Sequence, residues 1–342
     1  MQYISEDFTC RWEDGGKIRV QARLPGRFNI YWSSSPDGFT DDNELEPFEG
    51  TTLFDNPLKK RRCFLHIVGA SRYSVTTPRI LIPNGRCNLR DLGGYNTQDG
   101  SRFIRHGVLY RSSRPATRDR ELVATLKEIS PRLVVDFRFL HEIELEDDNA
   151  VIEGARVLRC CPADEARSPE FAFTRSDMEK KDLGDIHVLQ QALDDAYTTM
   201  PFGSRAYRDF MRAIVQNPGT VLYHCSAGKD RTGMASAMIM LALGVPQQAI
   251  VEDYMLSGAA RAVGLEERLL EYSNNPSHTP QQVAMWHRYL TMSETAIIGM
   301  LEAIRSRYAH MEDYFAAELQ ISRDDLETMR ETYLIKHNIE TR

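Results

Sequence analysis

The sequence predicts a small all-β, sandwich-like module over residues 1–83, followed over residues 84–342 by an α/β domain with a central, mostly parallel sheet flanked by helices. Three observations carry this. Before residue 84, short segments alternate polar and apolar residues between glycine- and proline-rich turns. After it, short β-branched runs alternate with stretches whose apolar residues recur at helical spacing. Finally, the apolar run Val221-Leu222-Tyr223 leads through the loop His224-Cys225-Ser226-Ala227-Gly228-Lys229-Asp230-Arg231-Thr232-Gly233 into a second apolar run, Met234 to Leu243, the pattern of a buried strand joined to a buried helix.

In the first part, Lys17 to Leu24, Phe28 to Trp32 and Cys63 to Val68 read as strands, with Gly15-Gly16, Pro25-Gly26 and Ser35-Pro36-Asp37-Gly38 as turns. This module is either a docking surface for a partner or substrate, or a structural cap. Its basic run Lys59-Lys60-Arg61-Arg62 suits either anionic headgroups or a solvated hairpin tip. Pro83-Asn84-Gly85 marks the boundary. Gln98-Asp99-Gly100-Ser101 has the residues of a tight turn into Phe103-Ile104. Gly107 to Tyr110 is a short strand, Arg118 to Ile129 a helix and Leu133 to Phe137 a buried strand, with Asp136 and Arg138 at its end, where open sheets place ligand sites.

Residues 163–200 are polar, and within them Leu183, Ile186, Leu189, Leu193 and Tyr197 share one helical face. The next helix buries Ala206, Phe210, Ala213 and Ile214. Beyond the loop the chain is helical: Ile250, Val251, Tyr254 and Met255 form one face, Ile297, Met300, Leu301, Ile304 and Tyr308 another, and Ser322 with Asp325 forms a capping box.

Composition excludes several function classes. With 42% hydrophobic and 27% charged residues the chain is an ordinary globular protein, and a net charge of -7 argues against a general nucleic-acid or anionic-membrane binder. No run approaches the ~18 apolar residues that span a bilayer, and the N-terminus lacks a signal-like core, so residence in the cytoplasm is expected, with export lacking a cleavable signal left open. The six cysteines show no CxxC spacing, which suggests neither a disulfide framework nor a zinc site.

The loop therefore carries the chemistry. A tight turn of backbone N–H groups at a helix N-terminus holds a phosphate, and the same field favours the thiolate of Cys225 directly beneath it. Arg231 can offer paired donors to two phosphoryl oxygens. Gly228 permits the turn, and the Thr232 hydroxyl can donate to the sulfur as it leaves. His-Cys-(x)5-Arg-Thr-Gly resembles the signature of cysteine-dependent tyrosine phosphatases. With Asn88-Leu89-Arg90-Asp91-Leu92-Gly93-Gly94-Tyr95, Val108 to Ser112 and Val134 to Arg138, the chain resembles the atypical bacterial tyrosine and lipid phosphatases from about residue 84 to residue 334.

That resemblance implies the cysteine-dependent phosphatase fold and a phosphatase acting on phosphotyrosine, phosphoinositides or phosphoserine/threonine without metal or cofactor. Cys225 is the nucleophile, and the N–H groups of Ser226, Ala227, Gly228, Lys229, Asp230 and Arg231 with the Arg231 guanidinium hold phosphate. His224 orients and tunes the cysteine, and Asp136 and Arg138 support the loop. A helical lid falls at residues 163–200, where an ordinary surface helix is the other reading. No Trp-Pro-Asp acid loop occurs, so Asp230 is the proton donor or else an anchor for Arg231, with Asp164 and Asp136 in reserve. Lys229 is either a second cation in the pocket, as in loops of phosphoinositide phosphatases, or a solvated side chain. Cys160-Cys161 is either a resolving thiol or two buried strand-end cysteines. The alternative function is a phosphate-binding adaptor that retains the fold without turnover.

Overall fold

The computed structural model describes residues 6–59, 61–70, 72–83, 85–116, 119–145, 152–161, 186–216 and 219–337. The first part contains seven strands: β1 (Phe8–Glu13), β2 (Lys17–Ala22), β3 (Arg27–Ser33), β4 (Glu44–Glu49), β5 (Thr51–Asp55), β6 (Phe64–Val68) and β7 (Tyr73–Thr76). They form antiparallel sheets in the orders β1-β2-β5 and β4-β3-β6-β7. Alternation in β2 and β3 sends Ile18, Val20, Phe28 and Ile30 inward, where they meet Phe8, Phe48, Leu65 and Ile67 in one core. Phe8 and Phe28 pack edge to face at 5.0 Å between ring centroids.

The second part begins with β8 (Arg90–Asp91), β9 (Arg102–Ile104), β10 (Leu109–Ser112), α1 (Arg120–Ile129), β11 (Leu133–Asp136), α2 (Leu140–Leu145) and β12 (Arg156–Arg159). It continues through α3 (Ile186–Thr199), α4 (Arg205–Gln216), β13 (Val221–His224), α5 (Asp230–Ala242), α6 (Gln247–Ala260), α7 (Ala262–Asn274) and α8 (Pro280–Leu290). It ends with α9 (Glu294–Arg307), α10 (Met311–Leu319), α11 (Arg323–Tyr333) and β14 (Leu334–Lys336). The central sheet has the order β12-β11-β13-β10-β8, with β8 antiparallel at its edge. The other four strands are parallel. Asp119, rather than Arg118, sets the start of α1, because its carboxylate accepts from the Leu122 N–H at 3.0 Å.

Helix α5 is apolar all round, and Met234, Ala235, Ala237, Met238, Ile239 and Met240 are all buried. Burying each of the larger side chains contributes roughly 1.5–3 kcal/mol, so the helix is a stiff mount for the loop before it. The capping box of α11 forms, with Ser322 Oγ accepting from the Asp325 N–H at 3.1 Å.

The two parts are tied together by buried polar contacts. The basic run splits: Arg62 turns inward, ion-paired to Asp91, donating to the Tyr110 hydroxyl at 2.6 Å and lying over the Phe64 ring. For Arg62, then, neither a lipid-facing nor a solvated role fits. Asp7 accepts from Arg72 at 2.5 Å and from Asn96 at 3.1 Å. At the far end of the chain, β14 pairs with β9, and the His337 carbonyl accepts from the Tyr73 N–H at 3.1 Å.

Candidate active site

The strand register places the site. Asp136, at the end of β11, lies opposite His224 of β13, and Ser112 of β10 lies on its other side. The chain then leaves the sheet at Cys225, 2% exposed, and turns into α5 at Asp230. Gly228 makes the turn possible: its φ is +64°, and a Cβ there would come within 2.2 Å of the Ser112 carbonyl oxygen. No other residue fits that position.

The loop carbonyls are turned out into the scaffold. The Ser226 carbonyl accepts from the Arg114 N–H at 3.2 Å. The Gly228 carbonyl accepts from Asn88 Nδ2 at 2.8 Å and from Arg111 at 2.9 Å, and the Ala227 carbonyl from Asn88 at 3.4 Å. With their carbonyls held outward, the peptide units of the turn direct their N–H groups to the inner side, beside the positive end of the α5 dipole, a geometry suited to an oxyanion.

Arg111 and Arg90 are themselves held by one buried carboxylate. Asp253 of α6 accepts from Arg111 at 2.6 Å and from Arg90 at 3.1 Å. Arg90 also reaches Ser257 at 3.0 Å. Burial works against ionising Asp253, but the two guanidinium groups outweigh it and hold its carboxyl at about 2. The Asn88-to-Tyr95 motif thus acts on the loop from behind.

Arg231 sits in a cage that the sequence reading did not contain. Glu142 of α2 accepts from both terminal nitrogens, at 2.8 and 3.1 Å, and the Phe137 carbonyl accepts at 2.7 Å. The Phe139 ring lies 4.6 Å beneath the guanidinium. Glu142 also accepts from Ser226 Oγ and from the Phe139 N–H, the latter at 2.7 Å, so one carboxylate joins α2, the loop and the arginine. Nothing in the sequence separates Glu142 from the other acidic residues of residues 142–148. Only the fold brings it to Arg231.

The supporting residues take more definite places. Asp136 accepts from Arg138 at 2.9 Å and lies 3.8 Å from His224 Nδ1. Although burial opposes ionisation, His224 and Arg138 hold the Asp136 carboxyl at about 2. The Asp136 carboxylate is committed to the Arg138 ion pair at the strand end. Burial holds His224 below its ordinary value against the pull of Asp136, and its Nδ1 meets the Cys225 carbonyl at 3.3 Å. The buried Thr232 hydroxyl has no hydrogen-bond partner among the described residues, so donation to the Cys225 sulfur is not made in this structure.

Lys229 follows neither of its two readings. Its ammonium is buried and donates to the carbonyls of Tyr289 and Thr291, at 2.6 and 3.1 Å, tying the loop to the end of α8. It also lies 3.6 Å from Asp230. Asp230, whose side chain is 38% exposed, accepts from the Tyr197 hydroxyl at 2.6 Å. Of the segment expected as a lid, residues 163–185 lie outside the described residues, Asp164 among them. The remainder, α3, packs against α9 and buries Tyr197 against the loop. Cys160, buried, and Cys161, partly buried, follow β12 at the same end of the sheet as Cys225. Among the described residues, no three His, Cys, Asp or Glu side chains converge as a metal site.

The family model described as the tyrosine phosphatase family matches residues 83–335. A Cupriavidus necator chain named as a tyrosine-protein phosphatase is 35% identical over 181 residues, covering 51% of this chain and 62% of that one. The triple specificity protein phosphatase PtpB of Mycobacterium tuberculosis is 30% identical over 190 residues, covering 51% of this chain and 67% of that one. The match thus spans less than two thirds of the C. necator relative. A crystal structure of P. aeruginosa TpbA aligns over 58% of this chain and 90% of that one at 20% identity, with a TM-score of 0.25.

Proposed function

Because this chain belongs to the tyrosine phosphatase family, we propose that it hydrolyses phosphomonoesters through a cysteinyl-phosphate intermediate. The observation that carries the reading is the turn from Cys225 to Arg231, with its carbonyls held outward by Asn88 and Arg111 and its arginine seated by Glu142. Cys225 attacks phosphorus in line. The loop N–H groups and Arg231 take up the charge on the phosphoryl oxygens, and Asp230 gives its proton to the leaving oxygen as the P–O bond breaks. Water then releases phosphate from sulfur.

Phosphotyrosine is the leading substrate. The M. tuberculosis relative, named as a triple specificity protein phosphatase, supports a wider range of phosphorylated targets. Phosphoinositides form a second class on one observation: an apolar groove of about 510 Å³, lined by Met255, Leu265, Leu269, Leu270 and Met292, opens beside Thr291, whose carbonyl holds Lys229. It offers room for an acyl chain. Because the Lys229 charge is already taken by two carbonyls and Asp230, it lends no further support to a multiply phosphorylated headgroup.

The acid assignment is tested by leaving group. Asp230→Asn is expected to lower kcat/KM for phenyl phosphate by about 10²-fold and for p-nitrophenyl phosphate by less than about 3-fold, because only the poorer leaving group needs the proton. Equal losses on both would make Asp230 an anchor. Phosphate release from a phosphotyrosine peptide and a phosphoinositide panel, each without added metal, separates the substrate classes.

A further inference from the structure

Two adjacent residues of α6 reach the phosphate loop at two points, its middle and the start of α5. Asp253 holds Arg111, which holds the Gly228 carbonyl. Tyr254 meets Tyr197, and Tyr197 meets Asp230. The second chain is not used in the mechanism above. Its hydroxyls lie 2.7 Å apart, and the Tyr197 hydroxyl lies 2.6 Å from Asp230 Oδ1.

The direction of the chain is fixed by proton count. A phenol has one proton, and Tyr197 donates its own to the carboxylate, so Tyr254 must be the donor to Tyr197. Both rings are buried, and burial with the nearby Asp230 carboxylate pushes both phenols above their ordinary value, so both keep their protons. The two rings stand at 85° to one another, and the Tyr254 ring packs against Gly233, where a Cβ would come within 2.8 Å. The hydroxyls therefore have little freedom to swing away.

We propose that Tyr197, itself oriented by Tyr254, is the positioning residue for the proton donor Asp230. It holds Oδ1 and so leaves Oδ2, which lies 3.6 Å from the Lys229 ammonium, as the oxygen that takes and gives the proton. In the first chemical step the Cys225 sulfur forms its bond to phosphorus while the P–O bond to the leaving group breaks. The electron pair of that bond passes to the leaving oxygen, which takes the proton from Oδ2, and Asp230 is left as a carboxylate. Tyr197 neither gains nor loses a proton. It touches no substrate and acts through the rotamer of Asp230. This rests on the assignment of Asp230 as the acid.

The test uses the full chain with Tyr197→Phe, Asp230→Asn and the double variant, each on phenyl phosphate and on p-nitrophenyl phosphate. Loss of a hydrogen bond to a charged partner predicts a drop of about tenfold in kcat/KM for phenyl phosphate in Tyr197→Phe, less than about 2-fold for p-nitrophenyl phosphate, and unchanged competitive inhibition by inorganic phosphate. In the Asp230→Asn background the Tyr197 substitution is expected to cost nothing further on either substrate. Should Tyr197→Phe fold poorly by thermal unfolding, Tyr254→Phe removes only the outer donor and should show the same leaving-group pattern at smaller size. If Asp230→Asn discriminates between leaving groups while the tyrosine variant lowers both substrates equally, the positioning role is overturned and the acid assignment stands. A further tenfold loss in the double variant would also overturn it. If Asp230→Asn itself fails to discriminate, the acid assignment falls first.

Discussion

Replacing Arg231 by lysine is expected to lower kcat/KM for a phosphotyrosine peptide by about 10³-fold, the lower end of what an arginine serving a transferring phosphoryl group contributes. The charge survives the change, so the loss comes from geometry. In the structure the guanidinium spends two nitrogens on Glu142 and the Phe137 carbonyl while stacking on Phe139. A planar group seated that way can keep its remaining edge toward two phosphoryl oxygens. An ammonium cannot occupy both sets of acceptors at once. Glu142→Gln, which keeps the size of the seat and removes its charge, should cost less, about tenfold. Steady-state kinetics of the three proteins decide the matter: a loss below about tenfold in Arg231→Lys would mean that the cage holds a structural arginine.

Replacing Asp253 by asparagine should produce the largest loss of stability. Removing one partner of a buried ion pair typically costs about 3–5 kcal/mol, and here two arginines lose their carboxylate together. For a chain of this size that is a fall in Tm on the order of 10 °C. Activity should fall with it, because Arg111 carries the Gly228 carbonyl. The pH dependence has a definite sign. Asp253 is held at about 2, below its unfolded value, so its contribution is complete above that unfolded value and is lost as pH falls toward 2. The gap in Tm between wild type and Asp253→Asn should therefore narrow as pH falls from 7 to 3. A constant gap would place the effect outside the carboxylate.

The loop itself was legible because strand, turn and helix are contiguous. Val221 to Tyr223 and Met234 to Leu243 frame it, and their apolar character alone implies burial. Three strands of the first part, β2, β3 and β6, were legible because their patterns are local, whereas β1, β4, β5 and β7 were not read from the sequence. What escaped was the support. Arg90 and Asp253 are 163 residues apart, and Asn88 and Gly228 are 140, so a motif visible in sequence did not disclose its task. Glu142 looked like any acidic residue of the acidic stretch from residue 142 to residue 148. Lys229 had two readings, an inward cation or a solvated one, and the fold supplied a third by placing the carbonyls of Tyr289 and Thr291 beside it. Arg62, one of four consecutive basic residues, became a strut between the two parts because Asp91 is buried opposite it.

Tyr197 is the instructive case. Helical spacing placed it on an amphipathic face but could not say what that face covers. Its partner Asp230 lies 33 residues away across α4 and β13, and only their packing brings the hydroxyl to the carboxylate.

The central claim is that phosphate passes through the sulfur of Cys225. It is tested most directly by mixing the full chain with a phosphotyrosine peptide, quenching during turnover by denaturation and mapping the phosphate by mass spectrometry, beside Cys225→Ser. A phosphate on the Cys225 peptide, with no intermediate and a loss of release of at least about 10⁴-fold in the serine variant, is the predicted result. Release by Cys225→Ser at the wild-type rate, or tight phosphate binding by wild type without any release, would contradict it.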